Sequence, residues 1–222
     1  MSADYRVLDL FCGLGGFSQA FRESDRWGVT TVDIEARFEP DRVADVFALR
    51  PSDFERDFDL VLASPPCTTL SVAGNHTDHW QDGAPNSERA RDHVALAFHT
   101  VGLIQGLDPR FWVLENPRGR MRRLLGGPTG TVTYCQYGFD WQKPTDLWGE
   151  HPPLTYRRCA PGDDCHAAGG QGFDSDAETT HVRDPAERAK VPAALSRAIR
   201  DACERALDGA VAEQATIAEV TE

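Results

Sequence analysis

Lysine is almost missing from this sequence. Lys143 and Lys190 are the two that occur, every other cationic side chain apart from histidine is arginine, and the formal net charge is -12. A chain this acidic repels a polyanion at low ionic strength, so a broadly basic nucleic-acid-binding surface is excluded and only local arginine clusters remain for that purpose. A surface this acidic and lysine-poor suits a halophilic setting, where concentrated salt screens self-repulsion. An arginine-favouring, GC-rich genome combined with an acidic tail accounts for it equally well. Long apolar runs are also lacking: none approaches the roughly 20 residues that span a bilayer. The N-terminus, MSADYRVLDLF, passes from polar residues into a strand pattern without the layout of a signal peptide. A cytoplasmic protein is expected, with its six cysteines reduced rather than paired. There is no internal repeat. What is present, 222 residues at 41% hydrophobic and 26% charged, suffices for one well-buried core and is too short for two independent domains.

The order of patterns predicts an α/β chain. Arg6 to Leu10 (RVLDL) reads as a buried strand, followed by the glycine turn FCGLGG and an amphipathic helix starting near Phe17. Further strands are predicted at Val29 to Asp33, Arg42 to Val46, Asp59 to Ala63 and Phe111 to Leu114, the last ending at Glu115. Between the last two lie a polar loop, Ser71 to Asn86, and a helix that Ser87 caps, with apolar positions Val94, Ala97, Phe98, Val101 and Ile104. Strands alternating with helices imply a Rossmann-like, doubly wound, mainly parallel sheet whose ligands sit at the carboxyl ends of the strands. The pattern changes after the fifth strand. TVTYCQYG and TDLWG read as an added hairpin, and Glu150 to Pro185 as a loop region or very small subdomain. A final helix from about Pro192 carries Leu195, Ile199, Ala202 and Ala206 on one face, and residues 211–222 form a polar tail expected to fray. The division is therefore a core over 1–149, a loop region over 150–185, a helix within 186–210 that packs back on the core, and the tail.

Four strand ends carry chemistry. DLFCGLGG, Asp9 to Gly16, lets a nucleotide-like ligand approach the backbone, although a tight turn needing glycine would read the same way. Asp33, ending the second strand, is placed to hold ribose hydroxyls, and Asp45, after the third, to accept from an adenine amino group. No lysine or serine that would bind phosphate follows the glycines, so a nucleotide-triphosphate loop is excluded. The order matches an S-adenosylmethionine pocket. The fourth strand leads into ASPPCTTLS with Cys67, and the fifth delivers Glu115 in LENP. A thiolate that adds to C6 of a pyrimidine makes C5 nucleophilic enough to take a methyl group, while a carboxyl group at N3 stabilises the adduct. Two prolines hold Cys67 with little entropy left to lose.

DLFCGLGGFSQAF, VDIE, ADV, SPPCTTLS and LENP, in that order, resemble the cytosine-C5 DNA methyltransferase family from Arg6 to about Gly149. The resemblance implies a DNA partner, transfer from S-adenosylmethionine to a flipped-out cytosine, and a role in DNA methylation such as restriction-modification. It implies that Phe11, Gly13, Leu14, Gly15, Gly16, Asp33, Ile34, Asp45, Val46 and Pro65 line the donor, that Cys67 is the nucleophile and that Glu115 recognises the N3 edge. Pro66, Ser71, Asn116 and Gln142 fall to the substrate side. An RNA cytosine as substrate and a non-catalytic DNA-binding subunit are the alternatives.

The sequence departs from the family in several places. Thr68 stands where the family usually has glutamine, and Pro117 where it has valine. Where the family carries a glutamine and alternating arginines, YGFDWQKPTDLWG offers Gln142 and Lys143, which makes Lys143 the expected cation near the base. The family inserts a substantial target-recognition domain after this segment. Only Glu150 to Pro185 is available here, which implies a short or relaxed target or help from a second subunit. Within RGRMRR, Arg118 and Arg120 are placed to clamp phosphates beside the flipped base, or the run is a solvated helix face. The loop holding Trp80 is a candidate lid, or simply a surface loop. ERAKVPAAL is expected to close the donor pocket. Cys159, Cys165 and His166, with Cys135 and His181 within reach, raise the question of zinc, but their spacing fits no paired Cys-x-x-Cys knuckle, and no metal is expected.

Overall fold

A computed structural model of the chain describes residues 3–54, 57–72, 78–160, 162–166 and 184–220, residues 211–220 by backbone alone. Along the first half run β1 (Tyr5–Leu10), a single helical turn α1 (Gln19–Arg22), β2 (Trp27–Asp33), β3 (Arg42–Val43) and β4 (Leu60–Ala63). A two-stranded hairpin of β5 (Trp80–Gln81) and β6 (Ala84–Pro85) then precedes α2 (Glu88–Leu107) and β7 (Phe111–Pro117). The second half adds α3 (Met121–Leu125), β8 (Gly130–Thr133), β9 (Pro144–Trp148), α4 (Pro185–Ala189) and α5 (Ala193–Val220).

Seven strands form one sheet in the order β3-β2-β1-β4-β7-β9-β8. The five from β3 to β7 are parallel and β9 and β8 are antiparallel, so this is the expected doubly wound, mainly parallel sheet. Its central strands are apolar on both faces because helices cover both. Val7, Leu60, Leu62 and Val113 pack with Leu195, Ile199 and Leu207 of α5. Leu8, Leu10, Val61, Ala63 and Leu114 pack with Ala97, Leu103 and Ile104 of α2. Strand order reverses between β1 and β4, the switch point at which such sheets bind ligands. The glycine turn after β1, the Cys67 loop after β4 and Glu115 in β7 therefore leave neighbouring strands at the same edge.

Several expected elements differ in extent. The helix near Phe17 is one turn long, because the chain turns at Ser24 to Arg26 and enters β2 at Trp27; Phe17, Ala20 and Phe21 are nevertheless buried. The third strand stops at Val43, since Asp45 accepts from the Phe47 N–H at 2.9 Å and starts a 3-10 turn over Val46–Ala48. β7 continues past Leu114 to Pro117 because β9 pairs with Glu115, Asn116 and Pro117. The part of the polar loop at residues 80–85 is the β5–β6 hairpin. Ser87 caps α2 as expected, accepting from Ala90 N–H at 3.1 Å, but Phe98 is 51% exposed and the buried stripe is Ala90, Ala97, Thr100, Leu103 and Ile104. The C-terminal region begins with α4 at Pro185, and the backbone of α5 stays helical through Val220, across most of the expected tail.

Candidate active site

The turn after β1 is built from left-handed backbone. Phe11, Gly13 and Gly15 have φ of 62°, 49° and 71°. At Phe11 a side chain is held in a conformation that costs on the order of 1–2 kcal/mol, the kind of local strain that marks functional sites. Gly15 N–H donates to the Cys12 carbonyl at 2.8 Å and Cys12 N–H to that of Val32 at 3.1 Å. A Cβ at Gly13 or Gly15 would meet nothing within 4 Å, so this side of the turn is open to a ligand. Gly16 differs. A Cβ there would lie 2.5 Å from the Val191 carbonyl oxygen and 2.6 Å from Lys190 Cγ, so the ERAKVPAAL segment does reach back over the turn. Ser196 completes the contact by donating to the Phe17 carbonyl at 2.6 Å and accepting from Ala20 N–H at 3.1 Å.

Asp33 Oδ2 accepts from Gly13 N–H and Oδ1 from Glu35 N–H, both at 2.9 Å. Each oxygen keeps a further lone pair for a ligand hydroxyl. Leu14, Ile34 and Phe47 are 41%, 64% and 49% exposed, an unusual group of apolar side chains left open at the ends of three adjoining strands. Phe47 stacks on His99 with ring centroids 5.1 Å apart. Val46 lies in the core beneath, so Phe47, unremarked in the sequence, is the apolar side chain that faces outward beside Asp45. Under the turn, Asp9 is fully buried; its Oδ2 accepts from Ser18 Oγ at 2.6 Å and its Oδ1 has no hydrogen-bond partner among the described residues. Burial pushes this carboxyl up to about 7, against the hydrogen bond from Ser18.

The Cys67 loop is fastened on every side. Leu70 and Ser71 N–H donate to the Cys67 carbonyl at 2.9 and 2.8 Å, closing the turn after the prolines. Asn116 is buried and donates to the Pro65 carbonyl at 2.9 Å, so this residue of the LENP motif positions the loop. Trp80 Nε1 donates to the Thr69 carbonyl at 2.7 Å, and the Thr69 hydroxyl meets His93 Nδ1 of α2 at 2.8 Å. Ser71 bridges to Gly119, and Arg120 N–H donates to the Leu70 carbonyl at 2.6 Å. Trp80 therefore ties the candidate lid to the Cys67 loop; residues 73–77 of that lid lie outside the described residues.

Glu115 is 3% exposed, and Tyr134 donates its hydroxyl proton to Glu115 Oε1 at 2.8 Å. Lys143 Nζ lies 4.0 Å from the same oxygen and 4.5 Å from the centre of the Tyr134 ring, and donates to the Arg188 carbonyl at 3.1 Å. Burial pushes the Glu115 carboxyl up, against Lys143 and the Tyr134 hydrogen bond. Burial also pushes the Cys67 thiol up; the Lys143 ammonium opposes this and Glu115 adds to it. Cys67, Glu115 and Lys143 thus share one electrostatic environment. Tyr134 belongs to it too and carried no local sequence signal, since a tyrosine before a glycine turn reads as ordinary core.

Other expected residues fall around this centre. Arg118 N–H donates to the Pro144 carbonyl at 2.9 Å. The Arg120 guanidinium lies over the Trp80 ring, 4.7 Å from its centre. Arg122 makes two 2.6 Å bonds to the buried Asp146, so this arginine of the RGRMRR run braces β9 instead of offering itself to phosphate. Gln142 sits beside the Cys159 thiol. Cys135, Cys159, Cys165 and His166 come together, whereas His181 lies outside the described residues.

A doubly wound sheet that offers an open glycine turn, an acid at the next strand end, a fastened thiol and a buried carboxyl has the fold of S-adenosylmethionine-dependent methyltransferases. More narrowly, the chain belongs to the C-5 cytosine-specific DNA methylase family, whose model matches residues 5–123. Among curated proteins, a "Probable DNA (cytosine-5)-methyltransferase" of Frog virus 3 is 30% identical over 174 residues, 72% of this chain and 77% of the relative. The type II methyltransferase M.DdeI of Desulfomicrobium norvegicum is 27% identical over 51% of this chain, and M1.HphI of Haemophilus parahaemolyticus 30% over 52%. The aligned segments span 28% and 32% of those two bacterial proteins.

Proposed function

We propose that this protein methylates C5 of cytosine in DNA, with Cys67 as covalent nucleophile and S-adenosylmethionine as donor. The observation that carries the reading is the convergence of the loop-held Cys67 thiol with a buried Glu115 whose carboxyl is raised toward its protonated form. In its protonated form, which burial favours, Glu115 can hydrogen-bond to cytosine N3, which draws electron density from C6 and opens it to attack. Lys143 favours the thiolate over the thiol. Addition forms the S–C6 bond and places the electron pair on C5. After C5 is methylated, its proton passes to solvent or a base, the S–C6 bond breaks, and the thiolate returns. Because C6 is inaccessible within stacked duplex DNA, the base must be flipped out, and Trp80 and Arg120 stand beside the loop that would receive it.

The donor site fits its ligand on three grounds. The turn at Gly13 and Gly15 leaves open space where side chains would stand, Asp33 retains lone pairs for ribose, and Ile34 and Phe47 offer exposed apolar faces to adenine. S-adenosylmethionine, when bound, supplies the electrophilic methyl group. Lys190 and Val191 close the turn from the other side, which limits water there.

The test is nucleoside mass spectrometry after incubation with isotope-labelled donor and either unmethylated duplex DNA or tRNA, across a salt series. Labelled 5-methyldeoxycytidine that is lost in Cys67→Ala is the expected result. Label confined to RNA would move the substrate to the alternative class, and no label despite measured donor binding would overturn autonomous catalysis and direct attention to a second subunit.

A further inference from the structure

The segment after β9 is only lightly held by apolar packing, with Leu154 and Tyr156 half-buried against the core. No described side chain from Glu150 to Cys159, nor from Ala160 to His166, is buried, so no hydrophobic core of its own fixes it. It is nevertheless laid against β8. Thr133 N–H donates to the Arg157 carbonyl at 3.0 Å, Arg158 Nε to that of Thr131 at 3.1 Å, and Cys159 N–H to Thr133 Oγ1 at 3.1 Å. The Arg157 guanidinium lies over the Tyr137 ring, and the Tyr137 hydroxyl donates to the Thr155 carbonyl at 3.0 Å. Where this run ends, three thiols and an imidazole meet.

Cys165 Sγ lies 3.4 Å from Cys135 Sγ and 3.3 Å from Cys159 Sγ. His166 Nδ1 lies 3.5 Å from Cys159 Sγ and 3.6 Å from Cys165 Sγ, and all four ligand atoms fall within 4.8 Å of one another. A tetrahedral zinc ion with bonds of about 2.3 Å to sulfur and 2.0–2.1 Å to nitrogen requires S···S edges of roughly 3.8 Å and S···N edges of roughly 3.5 Å. The Cys159 and Cys165 separations from His166 meet that requirement, those of Cys165 from Cys135 and Cys159 need only a few tenths of an ångström of expansion, and the remaining pairs fall within 4.8 Å. A disulfide would place two of the sulfurs about 2.05 Å apart and leave the third and the imidazole without a role.

We infer that Cys135, Cys159, Cys165 and His166 bind a structural zinc ion that fastens the short segment after β9 to the turn behind the active site. Thiolate and imidazole ligands select zinc over magnesium or calcium, and four protein ligands leave no open position for a reacting water. Each coordinating thiol releases its proton to solvent, so three thiolates and a neutral imidazole leave the centre with one negative charge. Cys135 belongs to the 3-10 turn Tyr134–Tyr137, whose first residue holds Glu115. The metal would therefore tie the region that stands in place of a recognition domain directly to the turn that positions the catalytic carboxyl. The sequence raises zinc for these residues but argues against it, because Cys135 lies across β9 from the other three and the spacing fits no paired knuckle.

The test uses the full chain expressed with added zinc and purified without chelator. Elemental analysis should find one zinc per chain, and Cys159→Ser and Cys165→Ser should each lower it at least tenfold. Because these variants can fail to fold, the wild-type protein is also exchanged into cobalt, where the charge-transfer and strong ligand-field absorption of a tetrahedral thiolate site should develop to one equivalent. A zinc-free protein that gives no such spectrum, zinc retained in the folded serine variants, or an intact mass showing a Cys159–Cys165 disulfide would each overturn the assignment. None of these readouts depends on methyl transfer, so they stand or fall apart from the proposed reaction.

Discussion

Lys143 is the residue on which the chemistry of the site turns. The Cys67 thiol is raised by burial and by Glu115, and the Lys143 ammonium is the strongest influence against that rise. Lys143→Met should move the thiolate limb of the kcat/KM profile to higher pH, lowering activity near neutrality by about tenfold for each unit moved. Activity recovered at alkaline pH distinguishes this from simple misfolding. Asp9 gives a second residue-scale prediction. Its ordinary value of 3.8 in the unfolded chain becomes about 7 when folded, so between the two the folded state holds a proton that the unfolded state has lost. Its contribution is fully present below about pH 4 and is lost as pH rises through 7. Urea unfolding at pH 4.5 and 7.5 should show a smaller loss of stability with rising pH in Asp9→Asn than in the wild type.

At the scale of elements, the glycine turn and the segment before α5 form one unit. Gly16→Ala forces a methyl group into the Val191 carbonyl and should cost roughly 1–3 kcal/mol of stability, with weaker donor binding by calorimetry. Most of the scaffold around the proposed donor site was legible in the sequence, because β1, its turn and the Asp33 strand end are local patterns, as is the Ser87 cap. The positions of Cys67 and Glu115 were legible for the same reason. What periodicity could not give was set by long-range pairing. β9 inserts between β7 and β8, which lengthens β7 through Pro117, brings Tyr134 onto Glu115 and turns Arg122 inward to Asp146. Phe98 lies at an apolar helical position but outside the stripe that the sheet covers.

On the scale of the whole molecule, a net charge of -12 opposes compaction, so the unfolding midpoint should rise with potassium chloride as self-repulsion is screened. A midpoint that falls with salt would mean that specific ion pairs, such as Arg122 with Asp146 or Arg26 with Asp208, outweigh the net repulsion. DNA affinity should move the opposite way, because phosphate contacts weaken with salt. The central claim, that Cys67 adds to cytosine C6, is tested most directly with duplex DNA carrying 5-fluorocytosine in an otherwise unmethylated target. After methylation, C5 of that base has no proton to lose, so the S–C6 bond cannot be released. The account predicts a donor-dependent protein–DNA adduct that survives denaturation and maps by peptide mass spectrometry to Cys67. Methyl transfer to normal DNA with no trapped adduct, or an adduct on another cysteine, would contradict it.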